Sequence, residues 1–395
     1  MRIRAGRFIW MMLGALMALA LSACSLPLRS LDGVSLAMRQ KQEIELLKKL
    51  EAKNFSQSDY VPFYAERGSL QLSANLFDAS FASFETAKNW SDRFFTKRLT
   101  KNDYEGELFE KAYLHNFQML AALSNNQFEK AAVVARQLDV LMTERRDNPY
   151  LTQCDGFAYG LMAYAFARYQ NVEDAQVYQR KQNNCLNQSS DASDSKGLLK
   201  SGLMFVLGEG LVGRPELAQL PIPSPYGWVR ATYTRYQPRY QPRIGRVVVL
   251  WQDANGEQQQ QQAMSADLEP VVKASLEERS NSSKLAATAK TALVIAAADK
   301  AYEKISGKAL KDTKPKEVNE GALFAAQLLV VASNVFEADT RYWQSLPRVW
   351  WSAWVPRDAK NIRYRVEDSG GRVLVERPIL PIKASSQALV FERWW

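Results

Sequence analysis

Phe77-Asp78-Ala79-Ser80, Phe128-Glu129-Lys130-Ala131 and Val172-Glu173-Asp174-Ala175 share one pattern: apolar, acidic, variable, small. An acid is favoured in the first turn of a helix, where the peptide dipoles leave partial positive charge. A small residue two positions later lets that helix pack closely against a neighbour. Each tetrad therefore predicts the start of the second helix of an α-hairpin. The tetrads are 51 and 44 residues apart, so three hairpins follow one another.

The surrounding chain fits this reading. Residues 68–90 carry Leu70, Leu72, Leu76, Phe77, Phe81 and Phe84, and residues 104–123 carry Phe109, Tyr113, Phe117, Leu120 and Leu123 near helical spacing. Ser124-Asn125-Asn126 is a turn, and 127–143 follows with Ala131, Val134, Ala135, Leu138 and Leu141 on one face. A further pair is predicted over 155–169 and 172–184. Upstream, 35–53 reads as a polar helix that Tyr60-Val61-Pro62 interrupts. The region resembles a degenerate, elongated tetratricopeptide-like array, since tetratricopeptide repeats recur at about 34 residues. Cys154 opens the first helix of the last hairpin and Cys185 closes the second, so folding predicts a Cys154–Cys185 disulfide. Closing that loop stabilises the fold by roughly 3–4 kcal/mol in the chain-entropy model.

Beyond residue 197 the pattern changes. Residues 197–212 are apolar and punctuated by glycine, and the helical domain is placed over 35–212. Residues 213–245 read as a long irregular loop with six prolines. Its Tyr226, Trp228, Arg230, Tyr233, Arg235, Tyr236, Arg239 and Tyr240 are candidate recognition residues, aromatic rings interleaved with guanidinium groups. An α+β domain is expected over 246–395. Arg246 to Gln252 is a strand, Asp253-Ala254-Asn255-Gly256 a turn, and the run Gln258–Gln262 its partner strand. Helix returns at 285–305, and 321–336 reads as a buried core helix. Strands are expected at 349–355, 362–367, 372–376 and 388–394, with Asp368-Ser369-Gly370-Gly371 as a hairpin turn. The expected fold class is mainly α: a tetratricopeptide-like array followed by a mixed α+β region with a small antiparallel sheet.

The start of the chain gives an address. Arg2, Arg4 and Arg7 precede an apolar run of 14 residues, 8–21, and Leu21-Ser22-Ala23-Cys24 closes it. Fourteen residues fall short of the roughly 20 that span a bilayer as a helix, so 1–23 reads as a signal peptide. The leader resembles bacterial lipoprotein signals. That resemblance implies acylation of Cys24 with palmitate-like chains, a tether over 24–34 and, with Ser25 following the cysteine, an address on the periplasmic face of the outer membrane. More than one acyl chain is what makes such anchoring stable.

Composition is that of a globular protein: 47% hydrophobic, 24% charged, net charge +9. No dense Lys/Arg cluster points to nucleic acid. The single histidine, His115, falls within an amphipathic helical pattern, so neither a zinc site nor a Ser-His-Asp triad is assembled from sequence. No catalytic residue, metal or cofactor is predicted, and the chain is not read as an enzyme. Gly208-Glu209-Gly210-Leu211-Val212-Gly213 matches a dinucleotide fingerprint, but Arg214-Pro215 follows where a helix is needed. Ser193-Asp194-Ser195-Lys196 lies in a hydrophilic stretch without the partner motifs of a penicillin-recognising serine.

Three further stretches carry a family likeness: Tyr64-Ala65-Glu66-Arg67-Gly68, Tyr104-Glu105-Gly106-Glu107-Leu108-Phe109-Glu110, and Ala338-Asp339-Thr340-Arg341-Tyr342-Trp343-Gln344-Ser345-Leu346-Pro347. Through them the chain, over about residues 60–355, resembles a group of proteobacterial outer-membrane lipoproteins with a tetratricopeptide-like N-terminal half. The proline-rich middle departs from that group. The resemblance implies an envelope role and no catalytic residue or cofactor. The functional expectation is a protein-interaction scaffold in cell-envelope assembly or maintenance, held by the lipid on Cys24 and bound to an envelope protein. The alternative is a peptidoglycan- or glycan-binding module, and a hydrolase is the more distant one.

Overall fold

Three turns have the same backbone. The computed structural model describes residues 37–92 (except 39, 53 and 54), 104–144, 155–186, 201–309 (except 226), 339–379 and 388–395, with isolated positions at 198, 320 and 323. Within it, Asn75, Asn126 and Gln170 take left-handed φ values of 62°, 57° and 66°. The next residue reaches back five positions: Leu76 N–H to the Gln71 carbonyl at 2.8 Å, Gln127 to Ala122 at 2.8 Å, Asn171 to Phe166 at 3.0 Å. An inner bond runs from Asn75 to Leu72, Asn126 to Leu123 and Gln170 to Ala167. This is the Schellman closure of a helix, which satisfies its last carbonyls. The carbonyls of Leu76, Gln127 and Asn171 then accept from Ser80, Ala131 and Ala175, so the residue that ends one helix opens the next. These three small residues have no exposed surface.

The helices so joined are α2 (Tyr60–Ser73) with α3 (Phe77–Asp92), α4 (Leu108–Ser124) with α5 (Phe128–Glu144), and α6 (Gly156–Arg168) with α7 (Val172–Cys185); α1 (Glu43–Glu51) precedes them. Pro62 does not interrupt the chain as expected. It sits in the first turn of α2, where its missing N–H has no intrahelical partner to lose. In each hairpin the first helix is the inner one. Fifteen of the 17 residues of α4 are buried against five of 17 in α5, so α4 must be covered on every side.

The first of two sheets supplies the cover. The first has the order β10-β1-β7-β6, from β1 (Ser201–Glu209), β6 (Met264–Asp267), β7 (Val349–Pro356) and β10 (Leu389–Trp394). β1 runs parallel to β10 and antiparallel to β7. The second, β5-β4-β8-β9, is antiparallel, from β4 (Ile244–Gln252), β5 (Gln258–Gln262), β8 (Lys360–Asp368) and β9 (Val373–Pro378). The sheets pack face to face. Leu203, Phe205, Leu207, Val349, Trp351 and Ala353 of the first meet Val247, Val249, Trp251, Tyr364 and Val366 of the second. Alternation along β7 turns Trp350 to the other side, where its ring lies 5.6, 5.3 and 4.5 Å from those of Tyr113, Phe117 and Phe157. The result is three layers: helical hairpins, mixed sheet, antiparallel sheet.

Two expectations are corrected. Of residues 197–212, the described stretch 201–212 does not belong to the helices. Its core is β1, the interior strand of the first sheet, apolar on both faces because both are covered; such a run loses the alternation that marks a strand. Residues 213–245 are not an irregular loop. β2 (Arg214–Ser224) and β3 (Gly227–Gln237) pair along their whole length as an antiparallel ribbon. Pro215, Pro221 and Pro223 all have the same parity in β2, so their missing donors fall on the side facing away from β3, where proline is tolerated in a strand. With ten strands among the described residues the chain is α+β rather than mainly α, and its sheets exceed the small antiparallel one expected.

The chain divides into two units that interleave in sequence. One, the layered body, takes residues 30–213, 238–274 and 342–395; the other includes 214–237 and 275–341. In the second, Val229 of the ribbon packs with Ala298 and Tyr302 of α8 (Glu269–Ser306), and the Thr234 N–H donates to Ser283 Oγ at 3.1 Å. The expected core helix at 321–336 lies almost wholly outside the described residues, as do the stretches 1–36 and 187–197.

Of the three turns, only the last places a residue other than Asn in the left-handed position. A left-handed backbone costs an ordinary L-residue roughly 1–2 kcal/mol. Gln170 is exposed. Gln170→Gly should therefore raise stability by up to about 1 kcal/mol after the greater freedom of glycine in the unfolded chain is offset. Urea unfolding followed by circular dichroism measures it, and Gln170→Val should move the midpoint the other way.

Candidate binding cleft and the carboxylate clamp behind it

Glu66, Glu110 and residues 342–347, far apart in sequence, meet in one place. Residues 342–347 cross the inner face of the hairpins without regular structure, so their N–H groups need acceptors from elsewhere. Two buried glutamates supply them. Glu110 of α4 takes the Trp343 N–H at 2.5 Å. Glu66 of α2 takes the N–H of Gln344, and that of Ser345 at 3.0 Å. Glu110 also accepts from the Tyr104 hydroxyl at 2.5 Å and, as the third residue of a capping box, from the Glu107 N–H at 2.7 Å. Arginines hold the carbonyls: Arg239 donates to Gln344 at 2.6 Å and Arg393 to Ser345 at 2.5 Å. The Trp343 indole N–H is shared between Ser69 Oγ and Ser345 Oγ at 3.1 and 3.0 Å, and its ring lies 5.7 Å from Phe84 and 4.6 Å from Phe117. Burial pushes both carboxyls up to about 7, against the hydrogen bonds that favour the charged form.

A third buried carboxylate explains the glycine motif. Glu209 Oε1 accepts from the Tyr240 hydroxyl at 3.1 Å and from the N–H groups of Arg243 at 2.8 Å and Ile244 at 3.1 Å; Oε2 accepts from the Trp351 indole at 3.0 Å. Gly210 has φ +62°, and a Cβ there would lie 2.1 Å from the Tyr240 ring. A Cβ on Gly208 would lie 2.9 Å from Pro347 Cγ, and the Gly213 N–H goes to Glu269 at 2.9 Å. These glycines serve close packing around the clamp.

Arg393 leads from the clamp to a cleft of about 630 Å³ along β10. Its aromatic walls are Phe77, Tyr364, Phe391, Trp394 and Trp395, and its charged groups are of both signs: Lys41, Arg377 and Arg393 with Glu43 and Glu392. Burial raises the Glu392 carboxyl, opposed by Arg377 and Lys41. Glu43 accepts from the Ser73 hydroxyl at 2.8 Å, and the Arg393 guanidinium lies 4.5 Å from the centre of the Trp395 ring. Ser124, 2% exposed, lines the cleft with a hydroxyl that has no hydrogen-bond partner among the described residues. A cleft of this size and mixed lining is suited to binding a small ligand or a peptide side-chain cluster. The sequence alone points to no site here, because its walls come from α1, α2, α3, α4, β8, β9 and β10.

The residues singled out from sequence separate. Cys24, Cys154 and Tyr226 lie outside the described residues. On the ribbon, Trp228 is 70% exposed, Arg230 reaches Gln219 at 3.5 Å, Arg235 pairs with Glu216 at 2.9 Å, and Tyr233 lies under the Lys284 ammonium at 5.7 Å, with Tyr236 half-buried. Arg239 and Tyr240 belong instead to the layered body, where they hold the clamp and Glu209; they are bound within the fold, which argues against a recognition role. Cys185 ends α7. A Cβ on Gly156 would lie 3.1 Å from the Leu186 side chain, so the neighbours of Cys154 and Cys185 adjoin. His115 is buried, its Nδ1 2.9 Å from the Lys111 carbonyl, with its pKa lowered to about 4 by burial. Among the described residues, no group of three or more His, Cys, Asp or Glu is placed to hold a metal.

Glu66 and Glu110 titrate near 7 in the fold and near 4.5 when unfolded, so folding takes up protons between those values. Their contribution is fully present below pH 4.5 and is lost as pH rises through 7, by on the order of 3 kcal/mol per group at most. His115 has the opposite slope below pH 6.5, so the comparison is between proteins. The melting temperature of the wild type should fall from pH 5 to pH 8 more than that of Glu66→Gln, whose amide oxygen still accepts from residues 344 and 345.

Comparison with known proteins returned no matching family model, no matching curated protein and no matching solved structure.

Proposed function

We propose that this chain is an outer-membrane lipoprotein, acylated at Cys24, that acts on the periplasmic face as a protein-interaction scaffold in envelope assembly or maintenance. The leader and Leu21-Ser22-Ala23-Cys24 support the address. Three hairpins closed by one turn geometry support a tetratricopeptide-like array, elongated to repeats of 51 and 44 residues. Arrays of this kind ordinarily bind partners in the groove of their inner helices. Here residues 342–347 and Trp350 fill that side, so the partner's place is the cleft beside β10. The observation that carries this reading is the Ser124 hydroxyl, buried without a partner among the described residues in a cleft walled by aromatic rings and charges of both signs. A glycan reading draws on the same aromatic walls. No catalytic residue or cofactor is assigned.

A photo-crosslinking residue at position 77 or 394, installed in the intact envelope, should capture a discrete protein, while the same residue at position 140, exposed on the outer face of α5, should not. Capture at 140 alone would place the partner elsewhere. Cross-linking to peptidoglycan in place of protein would favour the glycan reading. Cys24→Ala should abolish palmitate labelling and any membrane retention that resists high salt.

The Cys154–Cys185 bridge is part of the same envelope reading, since disulfides persist in oxidising compartments. The oxidised mature protein should give no thiol labelling under denaturing conditions with Cys24 acylated, and two labelled thiols after reduction.

A further inference from the structure

The ribbon β2–β3 has a feature that the scaffold reading leaves unused. At its closed end, Trp228 stands 70% exposed and directly opposite Pro223, with Arg230 opposite Pro221 in the next pair on the same face. Ser224 pairs with Gly227 as the last rung of the ribbon, and Pro225 follows Ser224. Tryptophan buries more apolar surface than almost any residue, and one left this open is stabilised when something covers it. From these placements we propose that the tip of the ribbon inserts into the headgroup layer of an anionic lipid surface.

Three observations select lipid over other occupants. The first is the pairing of an aromatic tip with a cation. Tryptophan is favoured where an apolar body and a polar N–H meet a bilayer interface, and arginine beside it meets phosphate. The second is charge. Residues 214–237 contain Arg214, Arg230 and Arg235 against the single carboxylate of Glu216, which suits an anionic surface. The third is the missing donors. In β2 the prolines at 215, 221 and 223 share the parity whose N–H would point away from β3, and Pro225 removes another donor in the turn. A backbone N–H carried into an apolar medium without a partner is costly, so their removal eases insertion. The same removal is a handicap for the two rival occupants. An added peptide strand needs those donors along β2, and a sugar is recognised largely through hydrogen bonds. Tyr233, Thr234 and Val229 are held on α8 by Lys284, Ser283 and Tyr302, so the ribbon presents its tip from a fixed base.

This inference goes beyond the scaffold reading and does not depend on acylation. It is tested with the mature chain carrying Cys24→Ser, so that no acyl chain contributes. The protein is sedimented with vesicles of equal parts phosphatidylethanolamine and phosphatidylglycerol, and with phosphatidylcholine alone. Binding to the anionic vesicles is expected, weakened by salt. Trp228→Ala should lower the partition on the order of tenfold, since it removes the surface that the lipid covers. Pro221→Ala/Pro223→Ala, which restores two donors, should also weaken it. Replacing a tryptophan this exposed leaves the fold intact, so unchanged circular dichroism and melting certify that loss of binding is local. Absence of binding to anionic vesicles, or equal binding by Trp228→Ala, overturns the proposal. So does retention on peptidoglycan that depends on Trp228 without any binding to vesicles.

Discussion

Three consecutive backbone N–H groups, those of Trp343, Gln344 and Ser345, are caught by the carboxylates of Glu66 and Glu110, and the body of the protein depends on that capture. A segment without regular structure cannot be buried unless its polar groups find partners. Here the acceptors come from two inner helices and the donors to its carbonyls from Arg239 and Arg393. The segment leads directly into β7, so fixing it fixes where Trp350 meets the hairpins and where Trp351 meets the second sheet. Glu209 repeats the device at the end of β1, tying the residues before β4 to the sheet beside them. Buried carboxylates thus act as fasteners between elements far apart in sequence.

This arrangement changes what a helical array is used for. Inner helices that are buried nearly all round are structural walls, and α4 is one. The first sheet lies where a ligand of an open array would lie. What remains accessible is the outer layer α3, α5 and α7, the last two linked by Arg136 to Asp174 and Lys181 to Asp139, and the cleft where the hairpin ends meet β10.

Local features were legible in the sequence and long-range ones were not. The tetrads opening α3, α5 and α7 could be read because acid and small residue act within one turn. The hairpins at 253–256 and 368–371 could be read from turn residues. β1 could not, because a strand covered on both faces has no alternation to betray it. The ribbon could not, because prolines count against a strand until their shared parity in the register is known. The clamp lay half in view: Glu66, Glu110 and the segment 342–347 each sat in a stretch that had drawn attention, but only the fold brings them together. The cleft was invisible, since seven separate elements contribute its walls.

The order of strands in the first sheet has a consequence for how the chain comes to fold. The hairpins form from contacts within about 35 residues and can close early, whereas β1 must wait for β7, about 150 residues further on, and for β10 beyond that. Until then a strand of nine residues, apolar on both sides, has neither neighbour. Non-local pairing of this kind is slow and leaves adhesive surface in the open. A chain built this way needs protection on its route to the folded state, so its demand on the chaperones of whatever compartment it folds in is written into the position of one interior strand.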